Sequence, residues 1–174
     1  YNMIELEYDS ALAQWEPEPK WPDDLLNSPQ LEYVYQILTK EYYVDGIGNI
    51  TSDEVVIPAT FNGIPVTKIR QFAFCKKHAN SLTKKDSTFN ASSVVIGNGI
   101  TDIEKYAFHG CTSLESVTIP KTVVNIGELA FYGCDGLKTV NYEGSEEEWA
   151  QIVISNSNDA LNNATVNFNY IIEE

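Results

Sequence analysis

Positive charge is scarce in this chain. Eleven Lys and Arg stand against 25 Asp and Glu, which gives a formal net charge of −14 and a pI of about 4.4. A surface this acidic repels phosphate backbones and anionic headgroups, so nucleic acid is excluded as a general partner. Long apolar runs are missing as well: nothing reaches the roughly 18 residues a membrane-spanning helix requires, so this fragment inserts no helix in a membrane. Cysteine occurs three times, at Cys75, Cys111 and Cys134, an odd and low count that makes no disulfide framework. The P-loop, G-x-G-x-x-G and G-x-S-x-G motifs are all absent, which leaves phosphate and hydrolytic chemistry without support.

The 174 residues are 43% hydrophobic and 11% aromatic, enough for one globular domain, or one domain plus a tail. The first residue is Tyr1 rather than Met, so the chain reads as a processed protein or an excised fragment, with any signal or anchor out of view.

What the chain does have is a repeat. "AFHGCTSLESV" from Ala107 returns as "AFYGCDGLKTV" from Ala130, a shift of 23 residues. Phe108 and Phe131, Cys111 and Cys134, Leu114 and Leu137, Ile96 and Ile119, and Ile103 and Ile126 keep the same spacing. Apolar residues in fixed register are the mark of a solenoid, whose units bury their apolar sides only against each other. A stretched copy precedes them. Val55-Val56-Ile57-Pro58 corresponds to Val117-Thr118-Ile119-Pro120, and Phe72-Ala73-Phe74 to Tyr106-Ala107-Phe108. Phe74 to Phe108 is 34 residues, so 11 extra residues fall within Lys76 to Ser92.

Each unit explains itself physically. Val117 and Ile119 alternate as a half-buried strand, and Pro120 ends it. Val123 and Ile126 begin a second extended segment, and Gly127 is read as permitting the bend after it. Phe131 fills the interior, its copies stacked about 4.8 Å apart, one strand spacing. The cysteines act as small buried hydrophobes.

The pattern Leu-x-x-Val-x-Ile-Pro-x-x-Val-x-x-Ile-Gly-x-x-Ala-Phe-x-x-Cys, met at Leu114, Val117, Ile119, Pro120, Val123, Ile126, Gly127, Ala130, Phe131 and Cys134, resembles the BspA-like leucine-rich repeats of bacterial surface proteins and some protists. The expanded "IPATFNGIPVTKI" looks like a first repeat of such arrays, and residues 142–170 like their C-terminal closure. The chain departs from the pattern at Gly97-Asn98-Gly99, where Pro is common, and in the insertion. The resemblance implies a short right-handed leucine-rich-repeat solenoid, mainly β with short helical or 3-10 turns and capped at both ends. Residues 1–30 form an acidic Pro- and Trp-containing arm or linker in which Trp15 and Trp21 are read as docking. Residues 31–54 are cap strands alternating around Gly46 and Gly48, 55–143 hold about three repeats with an insertion at 76–92, and 144–174 form a cap of short helix plus final strand.

In that cap, Ser145-Glu146-Glu147-Glu148 reads as a capping box with Ser145 as N-cap. Trp149 and Ile152 then share one face and cover the last repeat, where a fully buried Trp cut to Ala costs about 3–5 kcal/mol. Val166, Phe168 and Tyr170 alternate as the final strand.

Chemistry has few candidates. Cys75-x-x-His78 with His109-x-Cys111 could suit tetrahedral zinc, but the register places the cysteines inward and His109 at a variable slot, on opposite sides of the wall. Buried free thiols are expected, and neither a metal nor a cofactor. "SNSNDALNN" lacks calcium-loop spacing and reads as caps and turns. Asn49, Asn90 and Asn163 begin formal glycosylation sequons to which no role is given.

Two surfaces remain. The resemblance implies ligand binding on the outward strand face, where Val56, Val95, Thr118 and Asn141 form one column and Glu54, Ser93, Ser116 and Thr139 the next. The insertion holds Lys76, Lys77, Lys84 and Lys85, four of the eleven basic residues, and a basic loop on an acidic body suits an anionic glycan or acidic protein. The expected function is a non-catalytic module for recognition or adhesion, binding a host or extracellular protein or glycan at a bacterial cell surface. The alternative is a structural spacer or the targeting module of a larger surface protein or enzyme.

Overall fold

The computed structural model describes residues 31–48, 50–75 and 89–172. The arm with Trp15 and Trp21, Asn49, and the insertion residues Lys76, Lys77, His78, Lys84 and Lys85 lie outside the described residues.

The chain coils through about four turns between two sheets. One sheet is wholly parallel and is built from β3 (Glu54–Ile57), β6 (Ser93–Ile96), β8 (Ser116–Ile119), β10 (Thr139–Tyr142) and β12 (Thr165–Asn167), side by side in that order. The other runs β1 (Glu32–Gln36), β2 (Glu41–Gly46), β5 (Ile64–Ile69), β7 (Asp102–Ile103), β9 (Asn125–Ile126), β11 (Val153–Ile154), with β4 (Thr60–Phe61) paired antiparallel to β5. The 23-residue period appears directly as register: Ser93 faces Ser116, and Ser116 faces Thr139. About three repeats were expected; the extra turn runs from β10 to β11, where α1 (Glu146–Trp149) lengthens the connection between the two strands and hides the period.

Between the sheets lies a continuous core. Val55, Ile57, Val94, Ile96, Val117, Ile119 and Val140 point in from the first sheet, and Ile69, Ile103 and Ile126 from the second. The phenylalanines form the expected ladder: Phe74 to Phe108 is 4.8 Å and Phe108 to Phe131 is 5.0 Å between centroids, both stacked. Phe89 joins it edge-on to Phe74 at 5.8 Å and is fully buried. With Ala91 also buried, the end of the expected insertion belongs to the core.

The three cysteines are buried and unbridged. Two do more than fill space. Cys111 Sγ donates to Phe74 O at 3.2 Å and Cys134 Sγ to Phe108 O at 3.1 Å, each reaching back to the preceding coil.

Gly127 does not serve a bend. A Cβ there would stand 2.5 Å from Lys105 N, so the residue is small because the preceding coil's backbone lies against it. The bend after Gly127 takes its positive φ at Leu129 (59°) and the Phe-x-Gly-Cys turn at Gly133 (71°), as do Tyr106 (61°) and Gly110 (74°) one coil earlier.

The ends are closed as follows. β1 and β2 form the expected antiparallel cap strands, joined by a turn at residues 37–40 with Lys40 at φ 55°, and Gly46 ends β2. Tyr33 stacks on Phe61 at 3.9 Å. At the other end the capping box is present in full: Ser145 N donates to Glu148 Oε2 and Glu148 N to Ser145 Oγ. Ile152 is buried, and Trp149, half-buried, meets Tyr142 edge-on at 5.0 Å. Burial, then the nearby Glu148 carboxylate, raises the Tyr142 phenol. α2 (Asp159–Asn163) follows, and β12 ends at Asn167, so Phe168 and Tyr170 lie beyond the strand.

Candidate functional site

The outward face of the five-stranded parallel sheet is built by alternation. In each four-residue strand two residues point in and the alternate two point out, and the three-residue β12 turns one in and two out. Parallel register then aligns the outward residues into columns. Glu54, Ser93, Ser116 and Thr139 make the first, and Val56, Val95, Thr118 and Asn141 the second. β12 extends both with Thr165 and Asn167, which the sequence reading missed. The interval from Thr139 to Thr165 is 26 residues, so no 23-residue alignment reaches it; the alternation of Val166 and Phe168 was the only available signal.

Ten side chains therefore cover this face, and Glu54 alone carries a formal charge. The rest of the chain bears the other 24 acidic residues. Val56 is 55% exposed, an apolar side chain held in open solvent. Ser93, Val95, Ser116, Thr139 and Asn141 are half-buried. Two contacts knit neighbours: Ser93 Oγ donates to Glu54 Oε2 at 3.4 Å, and Asn167 Nδ2 to Asn141 Oδ1 at 2.9 Å. One candidate is corrected. Thr118 is only 5% exposed, because a short side chain in the middle strand is flanked by Val95 and Asn141. It supports the face without being available for contact.

The outward side of the second sheet is different in kind. Lys68, Asp102 and Asn125 are joined there, with Lys68 Nζ 3.8 Å from Asp102 and Asn125 Nδ2 donating to Asp102 at 2.9 Å. Arg70 pairs with Asp45 at 2.6 Å. Its polar groups already satisfy each other.

His109 does not stand apart from every cysteine, contrary to what the register predicts. Cys75 Sγ lies 3.6 Å from His109 Nδ1, because Cys75 sits at the rim of the core where the turn of the next coil folds over it. Cys111 stays inward, bonded to Phe74 O. Among the described residues no three His, Cys, Asp or Glu side chains come together in a metal-holding group. Among the same residues no helix is long and apolar enough to cross a membrane.

A family model for the BspA type leucine rich repeat region, six copies long, matches residues 85–173. The chain belongs to this family. Solved leucine-rich repeat proteins share its fold. One from Bacteroides capillosus aligns with a TM-score of 0.61 at 22% identity, over 82% of this chain and 96% of its own. The T. pallidum leucine rich repeat protein gives 0.54 at 19% identity, over 70% and 52%. A third, from Bacteroides ovatus, gives 0.51 at 22%, over 65% and 30%. The chain thus spans about half the length of the T. pallidum protein. None of the curated proteins matches the sequence. BspA-type repeats of this kind generally serve as protein-binding modules rather than as enzymes.

Proposed function

We propose that this BspA-type repeat domain is a recognition module that binds an extracellular protein through the outward face of its parallel sheet, at the surface of a bacterial cell. The observation that carries the reading is the near absence of charge on that face. The cores of protein interfaces are depleted of charged side chains, and an exposed apolar residue flanked by hydroxyls and amides suits a partner that desolvates it. On a chain of net charge −14, a face of ten residues with one carboxylate stands apart from its surroundings. The extracellular setting is supported by the family, and adhesion to host material is its finer form.

The basic insertion supplies a second contact for an anionic glycan or acidic protein, carried by Lys76, Lys77, Lys84 and Lys85. Because Phe89 is in the core, that contact is tested by reversing the four charges rather than by deleting through Ser92. The experiment is a pull-down from matrix and mucosal extracts with the immobilised domain and two variants, V56E/N141E and the four-lysine reversal. A saturable partner lost with V56E/N141E supports the face. A partner lost only with the lysine reversal moves the site to the insertion, and no saturable partner favours the structural spacer.

A further inference from the structure

The turn side of the solenoid carries a second row of rings. Phe72 stacks on Tyr106 at 4.9 Å, Tyr106 meets His109 edge-on at 5.6 Å, and His109 stacks on Tyr132 at 5.4 Å with 20° between planes. Among the described residues no ring continues the row past Tyr132, which is 50% exposed. A cleft of about 510 Å³ opens there, between residues 132–137 and α2. That size is within the range of small-ligand pockets.

The cleft is lined by Tyr132, Asp135, Asp159 and Asn163, with Leu137 and Ala160 among its apolar residues. Among the described residues neither carboxylate forms an ion pair. The nearest basic residue along the chain, Lys138, is engaged by Glu115 at 3.0 Å.

The same chain shows what a tyrosine beside a carboxylate holds. Lys105 Nζ lies 4.9 Å from the Tyr106 ring centroid and 2.6 Å from Glu128. Lys68 Nζ lies 5.6 Å from the Tyr43 centroid and 3.8 Å from Asp102. The ring quadrupole and the anion attract one cation together. At Tyr132 ring and carboxylates recur, and none of the ion pairs among the described residues brings a cation to them.

We propose that this cleft binds a cationic side chain, a guanidinium or ammonium from a basic segment of a partner protein. Tyr132 is the platform, and Asp135 and Asp159 are the counter-charges. The negative lining excludes an anionic ligand. The site shares no residue with the strand face, so either reading can fail without the other.

The test is an NMR titration of the isotope-labelled full chain with the peptide acetyl-Gly-Arg-Gly-Arg-Gly-amide at low salt. The same peptide with citrulline for arginine, and methyl β-glucoside, are the controls. The expected result is saturable shifts centred on Tyr132, Asp135, Asp159 and Asn163 with the arginine peptide alone. Binding weakens about two- to fivefold in Y132A and about tenfold in D135N/D159N, and is kept in Y132F. Thermal melts establish that each variant is folded. An equal response to the citrulline peptide, shifts that ignore these variants, or no shift at all overturns the proposal. A response to the glucoside alone also overturns it and makes the cleft a sugar site.

Discussion

The backbone N–H of Phe131 donates to the side-chain Oδ1 of Asn158 at 2.9 Å. In the two preceding coils the equivalent donors, Phe74 and Phe108, bond the backbone carbonyls of Ala107 and Ala130, both at 2.8 Å. No further Ala-Phe turn follows Phe131, and one amide side chain takes its place. Asn158 Nδ2 in turn donates to Gly127 O at 3.0 Å and to Ser155 O at 2.8 Å, and the residue is fully buried. The end of a solenoid is a layer of backbone groups without a next coil to bond, and here one asparagine accepts from the buried Phe131 N–H and ties that layer to two carbonyls, of which Gly127 O also accepts from Ala130 N.

Asn158→Ala leaves the buried Phe131 N–H without its acceptor and removes two part-buried bonds, to Ser155 O and to Gly127 O, which keeps its bond from Ala130 N. One stranded buried donor puts the fall in stability at about 1–3 kcal/mol. Asn158→Asp keeps the acceptor for Phe131 but loses both donated bonds, and should be destabilising as well. Urea unfolding measures both. A midpoint unchanged by Asn158→Ala would remove Asn158 from this role.

Gly127 and Gly133 should fail for different reasons. Gly127→Ala drives a Cβ to 2.5 Å from Lys105 N, so two coils must separate. Gly133→Ala meets nothing nearer than 3.5 Å but must hold φ near 71°. That left-handed strain costs about 1–2 kcal/mol. Gly133→Asn, which tolerates the same φ, should recover part of the loss, whereas Gly127→Asn should be worse than Gly127→Ala. Thermal melts of the four variants test the distinction.

Trp149→Ala should cost about 1–3 kcal/mol, below the ~3–5 of a fully buried ring, because Trp149 is half-buried against Tyr142. Trp149→Phe keeps an edge for Tyr142 and should recover most of it. Denaturant melts followed by circular dichroism give both values.

Tyr33 gives the N-terminal hairpin an alkaline limit. Burial pushes its phenol up to about 12 from the ordinary 10. A folded pKa above the unfolded one means the contribution is complete below pH 10 and is lost as pH rises through about 12. The melting temperature of the native chain should therefore fall more steeply over that window than that of Tyr33→Phe. Parallel slopes would contradict the burial of this hydroxyl.

The parts of the fold legible in the sequence were those that repeat. Phe108 and Phe131 recur because each coil fills one interior slot, and the 23-residue interval became the register of Ser93, Ser116 and Thr139. What stayed hidden depends on closeness between coils rather than on residue type. Nothing in Asn158 marks it among the asparagines of "SNSNDALNN" as the one that closes the core. Gly127 looked like a bend because its neighbour in space, Lys105, is invisible to a one-dimensional pattern. The candidate face was partly legible. Alternation gave both columns, but the shielding of Thr118 and the addition of Thr165 and Asn167 needed the strands side by side.

The central claim is that the low-charge strand face is the contact surface. Its most direct test measures the affinity of the captured partner, by surface plasmon resonance, for the native domain and for V56E/N141E. The two sites sit in one column, on β3 and β10. If the face is the contact, affinity should fall about tenfold or more, as burying a new carboxylate costs at least ~1.4 kcal/mol, while the melting temperature stays the same. Equal affinity for both proteins would contradict the account and place recognition elsewhere on the solenoid.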